Sequence, residues 1–256
     1  MSAILKVEGM THRFGGLRAV SDFNIEVPEG AIYGLIGPNG SGKTTTFNLV
    51  TGIYAPTEGR ILFEGRDITG AKPFRIVQAG AARTFQNLRI FGSMSVLDNI
   101  RVARHYTTRS GFFRSVLRTP SFKREEAAVR EESMALLELM RLEGRATEEA
   151  KNLPYGELRR LEIARALATK PRLLLLDEPA AGMNPKEVAE LMGLIARVRD
   201  EFKVTVFLIE HHMKVVKGIC ERVKVIDFGE TIAEGEPDEV CRDPKVLEAY
   251  LGKRGA

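Results

Sequence analysis

The segment Gly37-Pro38-Asn39-Gly40-Ser41-Gly42-Lys43-Thr44 fits G-x-x-x-x-G-K-[ST], with an apolar run before it and a helical stretch from Thr44 to Val50 after it. Such a segment suits phosphates. Its glycines let the backbone turn N–H groups inward, and the positive end of the following helix faces the same negative charge. Lys43 is expected to reach the β and γ phosphates and Thr44 to bind Mg2+ through its hydroxyl, with Thr45 next in line along the loop. A second chemical element closes the apolar run Leu173–Leu176, where Asp177 and Glu178 stand side by side. Ligands bind beyond the C-terminal ends of strands in open α/β sheets, so two adjacent carboxylates there require a cation. Asp177 is expected to hold Mg2+, through water, and Glu178 to polarise the water that attacks a γ-phosphate. The chemistry that both elements suit is phosphoryl transfer to water.

The elements that must position these residues can be read from hydrophobic periodicity. Strand-length apolar runs occur at Ile4–Val7, Val20–Val27, Ala31–Ile36, Ile61–Phe63, Leu173–Leu176, Val204–Ile209 and Val223–Ile226. Helical patterns occur at Lys43–Val50, Glu125–Met140, Glu157–Thr169 and Lys186–Arg199. Strands alternating with helices predict an α/β core with parallel strands, and the closely spaced N-terminal runs predict an added antiparallel sheet. The middle, about Pro73 to Ala168, reads almost wholly helical and predicts a helical subdomain inserted between the strand before the phosphate loop and the strand that carries Asp177.

Length and composition bound the rest. At 256 residues, with 44% hydrophobic and 28% charged, the chain matches soluble globular proteins and can bury a full core. No apolar run approaches the ~20 residues of a bilayer span. The N-terminus lacks the pattern of a secretory signal, so a cytoplasmic location is expected, and Cys220 and Cys241 read as reduced structural thiols. A net charge of +4 is too mild to require nucleic acid. The basic excess is local: Arg101, Arg104, Arg109, Arg114, Arg118, Lys123, Arg124 and Arg130 face only Glu125 and Glu126 within the same stretch.

From Leu5 to Leu251 the chain resembles the ATP-binding subunits of ATP-binding-cassette (ABC) transporters. That resemblance implies a single ABC ATPase domain over 1–256, a P-loop NTPase core, and ATP with Mg2+ as ligands. Thr84-Phe85-Gln86 is similar to the family's glutamine loop, which implies that Gln86 contacts Mg2+ and the attacking water. His211, in Leu208-Ile209-Glu210-His211, stands where the family has a γ-phosphate histidine, and Phe14 stands where it has the aromatic that stacks on adenine. Ala181-Gly182-Met183-Asn184 resembles the loop linking the two ATP sites of a dimer. Leu153-Pro154-Tyr155-Gly156-Glu157 occupies the place of the signature Leu-Ser-Gly-Gly-Gln, which implies that Tyr155, Gly156 and Glu157 meet the partner's nucleotide. Pro154 lacks both the serine hydroxyl and a backbone N–H, leaving Gly156 and the start of the next helix to present donors.

Within the family, the stretch Ala82–Phe91, Glu178–Pro185, Ile209–Met213 and the ending Ala249-Tyr250-Leu251-Gly252 resemble the branched-chain amino acid importers, in the subunit with the longer helical insert. The resemblance implies a second ATPase chain, identical or not, two membrane permeases, and indirectly a periplasmic binding protein, at the cytoplasmic face of the membrane. Urea or amide importers, lipid exporters and a soluble, non-transport cassette stand as alternatives. The insert 104–123 mixes its basic residues with Phe112, Phe113, Val116, Leu117 and Phe122, which fits either a place near the permease or the anionic inner leaflet, at ~1 kcal/mol per nearby basic residue, or a solvated, partly self-packed helical excursion. Changing Arg109, Arg114 and Arg118 together to Gln is expected to weaken sedimentation with anionic liposomes; unchanged sedimentation supports the solvated excursion.

Overall fold

The computed structural model describes residues 2–105 and 120–251. Arg109, Phe112, Phe113, Arg114, Val116, Leu117 and Arg118 of the basic insert therefore lie outside the described residues. The chain divides into two compact units, one of residues 1–86 with 172–256 and one of residues 87–171.

The first unit carries two sheets. One is antiparallel, in the order β2-β1-β4-β5, from β1 (Ala3–Phe14), β2 (Leu17–Pro28), β4 (Glu58–Phe63) and β5 (Arg66–Asp67). The other has six strands in the order β10-β9-β3-β8-β7-β6. It is built from β3 (Ile32–Ile36), β6 (Ala81–Arg83), β7 (Leu173–Asp177), β8 (Thr205–Ile209), β9 (Arg222–Asp227) and β10 (Glu230–Gly235). β9, β3, β8, β7 and β6 pair in parallel, and β10 closes the edge antiparallel to β9. β3, β7 and β8 are buried at every position, which explains their continuous apolar runs: a parallel strand covered on both faces has no polar side to alternate with.

The strands β5 and β10 have no counterpart in the sequence reading, and two further elements depart from it. β1 is far longer than Ile4–Val7. The apolar pattern breaks at Glu8-Gly9, but the pairing with β2 continues through shifts of register to Phe14↔Leu17. Such bulges carry a strand past a residue that spoils its alternation. Within the stretch expected to be almost wholly helical, Ala81–Arg83 instead forms β6, with Ala81 opposite Leu173. Three residues are too few to show a period, and pairing with β7 decides their state.

The second unit packs the helix Val96–His105 with the helices Pro120–Leu139 and Tyr155–Ala168, burying Ile100, Leu137, Leu161 and Ala164. Part of the local basic excess is neutralised inside this unit. Arg101 pairs with Asp98 and Glu126, each at 2.8 Å, and Arg104 with Glu132 at 2.6 Å.

The helix that follows the phosphate loop, α1 (Lys43–Val50), is anchored by Phe47, whose ring centroid lies 4.9 Å from that of Phe207 on β8. Phe207 also meets Tyr33 of β3 edge to face at 6.1 Å, and all three rings are fully buried. Phe207→Ala is expected to cost about 3–5 kcal/mol of stability, read as a lowered midpoint in urea unfolding; a midpoint within error of the parent chain would contradict this anchoring.

Candidate active site

Register places the site. Leu35 of β3 stands opposite Ile209 of β8, and Ile209 stands opposite Asp177 of β7. The loops that leave these three strands therefore begin at one level of one sheet edge: Gly37 after β3, Glu178 after β7, Glu210 and His211 after β8.

Two glycines make the phosphate loop possible. A Cβ on Gly37, at φ 151°, would lie 2.0 Å from the Ile226 carbonyl oxygen. At Gly42, with φ 106°, it would lie 2.6 Å from the Ala19 carbonyl oxygen. Gly42 caps α1 without any side-chain bond, so the first N–H groups of the helix keep their donor capacity toward the loop's concavity. Lys43 is buried, and its Nζ donates to the carbonyls of Gly37 (2.8 Å) and Pro38 (2.7 Å). Burial pulls its ammonium below the usual lysine range, with Glu178 and Asp177 acting in the opposite direction. Bound phosphates would add to that opposing charge.

Asp177 and Glu178 sit in unlike surroundings. Asp177 is buried, and its Oδ2 pairs with Arg83 at 2.7 Å. The Arg83 guanidinium also donates to Asn48 Oδ1 and Thr51 Oγ1, and lies over the Phe47 and Phe85 rings. Part of the cation demand read from the sequence is thus met by Arg83, which periodicity could not pair with a residue so distant in the chain. The other oxygen, Asp177 Oδ1, is buried and accepts no hydrogen bond among the described residues. With the Thr44 hydroxyl and the Gln86 amide oxygen it makes a set of hard oxygen donors, the kind Mg2+ takes, so the residues fit that ion.

Glu178 adopts φ 47°, a left-handed conformation that a residue with a Cβ rarely holds. Its N–H is held by the Ile209 carbonyl at 3.0 Å. Gln86 Nε2 donates to Glu178 Oε2 at 3.3 Å, and His211 Nδ1 stands 3.7 Å from Oε1. Two residues distant in sequence are thereby gathered around one carboxylate.

Phe14 ends β1 at the Gly15-Gly16 turn, opposite Leu17. Tyr54 meets its ring edge on at 5.3 Å and His12 at 4.6 Å, yet the ring remains 43% exposed. A cavity of about 530 Å³ runs from Phe14 along every residue from Asn39 to Thr45, reaching Gln86 and Glu178. Gly37, Pro38, Asp177 and His211 do not line it; they hold or flank residues that do. Leu17, Arg18 and Phe228 also line it, and the sequence reading passed over them. Asp227-Phe228-Gly229 could have been read as a turn. Its place beside the phosphate loop comes from tertiary bonds: Gly229 N–H to the Ser41 carbonyl at 2.9 Å and Ser21 N–H to the Gly229 carbonyl at 2.8 Å.

Tyr155, Gly156 and Glu157 belong to the second unit and open the helix Tyr155–Ala168. Pro154 caps it without a side-chain bond, leaving the first N–H groups outside the helical ladder. The Tyr155 hydroxyl accepts from Arg159 at 2.7 Å, and Glu157 pairs with Arg145 at 3.5 Å.

A phosphate loop, a helix that starts at it, and carboxylates at the same edge of a largely parallel sheet define a P-loop nucleoside triphosphatase. A family profile described as ABC transporter matches residues 20–181, and one described as branched-chain amino acid ATP-binding cassette transporter matches residues 230–256. The chain is 46% identical to the high-affinity branched-chain amino acid transport ATP-binding protein BraF of Pseudomonas aeruginosa, covering 98% of each chain. It shares the same identity and coverage with LivG of Escherichia coli K12, which carries the same description. A crystal structure of an ATP-binding cassette of an ABC transporter in its ADP conformation superposes with a TM-score of 0.86 at 32% identity, over 99% of this chain and 100% of that one. The chain belongs to the ABC transporter family, as an ATP-binding subunit whose ATPase activity is coupled to transport.

Gly42→Ala, strained in φ and facing the Ala19 carbonyl, is expected to cost more than about 1 kcal/mol and to weaken nucleotide binding. Thermal denaturation with and without ATP measures both; parental melting in the two conditions would contradict the packing.

Proposed function

We propose that the chain hydrolyses ATP to energise import of branched-chain or related hydrophobic amino acids through a membrane permease. The observation that carries the catalytic part is the Glu178 carboxylate, set between Gln86 and His211 where the phosphate cavity ends. The substrate assignment is supported by the 46% identity to two branched-chain amino acid transport proteins and by the matching C-terminal profile. The lipopolysaccharide export protein LptB of Acidithiobacillus ferridurans stands at 34% identity, which makes lipid export the second reading.

In this reading the loop residues 37–45 wrap the phosphates with backbone N–H groups, and Lys43 neutralises the β and γ phosphates. Phe14, partly exposed in the cavity wall, receives adenine. Glu178 takes hydrogen-bond donation from the attacking water, and Gln86 and His211 hold that water and the γ-phosphate in line. As the water oxygen bonds to the γ-phosphorus, the bridging oxygen leaves with ADP. Thr44, Gln86 and Asp177 would hold Mg2+, which when bound supplies charge neutralisation on the β and γ oxygens. Arg83 holds Asp177 oriented for that task.

Two such chains, identical or not, would enclose two ATP molecules, with Tyr155, Gly156 and Glu157 of each facing the partner's nucleotide through the uncapped helix start. Closing and reopening would drive two permease subunits, fed by a periplasmic binding protein, from the cytoplasmic face of the membrane. No nucleic acid takes part. Among the described residues no helix is long and apolar enough to cross a membrane, in keeping with a peripheral subunit that needs a separate permease.

Glu178→Gln is expected to retain ATP while losing about 10²- to 10⁴-fold in hydrolysis, and to abolish leucine uptake in cells whose only copy carries it. Near-parental hydrolysis would overturn the catalytic assignment. Loss of hydrolysis with normal leucine uptake would leave the ATPase and remove its cargo.

A further inference from the structure

Glu210 follows β8 directly and precedes His211, yet its side chain is fully buried, with 0% exposure. Its two oxygens are divided between two loops. Oε1 accepts the N–H of Ala180 at 3.0 Å, in the turn that leaves Glu178. Oε2 accepts the N–H of His211 at 3.1 Å and of His212 at 3.3 Å, and the His212 Nδ1 lies 3.4 Å away. A buried carboxylate is costly unless donors satisfy it, and an ionised one only accepts. Here backbone N–H groups from both loops supply the donors, so both oxygens are satisfied only while both loops stay in place.

We propose that Glu210 is a positioning residue that ties the turn bearing Glu178 to the loop bearing His211, so that the two groups move and align as one unit. The proposal rests on the ATPase reading of the site. Glu178 needs such support: its left-handed backbone persists only where the surroundings over-determine it. The bond from its N–H to the Ile209 carbonyl fixes one side of the turn, and the Ala180 bond to Glu210 fixes the other. The 3.7 Å separation between His211 Nδ1 and Glu178 Oε1 is the distance that this double tie maintains.

Chemistry separates the clamp from simple packing. Gln at position 210 keeps the size and burial but replaces one oxygen by an NH2 group, which would face an N–H donor. It can serve one loop and not both. Met serves neither. None of the clamp's bonds reaches the phosphate loop, so ATP affinity and turnover should respond differently.

The test uses the full chain with Glu210→Gln and Glu210→Met, with melting curves as a folding check, and measures equilibrium ATP binding beside steady-state hydrolysis. A loss of about 10- to 100-fold in kcat, larger for Met than for Gln, with ATP affinity held within about twofold, is the expected result. Folded variants with parental kcat, or with affinity and kcat falling together, would overturn the proposal. Should neither variant fold, hydrogen exchange of the parental chain decides: slow exchange of the Ala180, His211 and His212 amides supports the clamp, and exchange at the rate of open loops overturns it. A parental chain that neither binds nor hydrolyses ATP would instead overturn the ATPase reading, and the exchange measurement would still decide the clamp.

Discussion

The parallel register that sets Leu35, Ile209 and Asp177 level across β3, β8 and β7 is the constraint on which the site depends. Side chains in a sheet alternate with a period of two, so a slip by one residue would exchange every inward and outward position of a strand. With all three strands buried at every position, alternation alone does not select this register, and backbone bonds between the segments, among them Glu178 N–H to the Ile209 carbonyl, hold it. Three loops consequently emerge side by side, and each contributes one kind of chemistry: backbone donors and Lys43 from the first, carboxylates from the second, a histidine from the third.

Charge is distributed across this edge so that few groups are left to water. Lys43 is held by carbonyls with its ammonium destabilised by burial, a state that favours a bound polyanion. Asp177 is half satisfied by Arg83 and its other buried oxygen accepts no hydrogen bond among the described residues, while Glu178 meets Gln86 and His211 and Glu210 is satisfied by backbone N–H groups. Four acidic and basic side chains brought to one end of the sheet thus have four separate solutions. The differences in solution, rather than the residue types, assign their roles.

Strain is concentrated in the same place. Gly37 and Gly42 adopt conformations closed to other residues, and Glu178 adopts one that its Cβ disfavours. The anchors lie just outside: Phe47 against Phe207 for α1, and the Gly229 bond to Ser41 for the loop itself. Rigid neighbours allow a loop of poor intrinsic stability to hold one shape before any ligand arrives.

The sequence by itself determined the phosphate loop, the carboxylate pair, the α/β class and the family, because each is written in local spacing or in hydrophobic period. It also placed most of the cavity wall, since Asn39 to Thr45 is one continuous segment. What only the tertiary structure decided was which distant residues complete that wall or support the residues behind it. Arg83 on a three-residue strand, Phe228 on a hairpin turn, and Glu210 beneath the histidine loop carry no periodic signal, and the stretches that contain Arg83 and Glu210 do not tell what either side chain touches. Their positions follow from sheet pairing and backbone bonds between segments far apart in the chain, and such long-range pairing leaves no mark on local sequence.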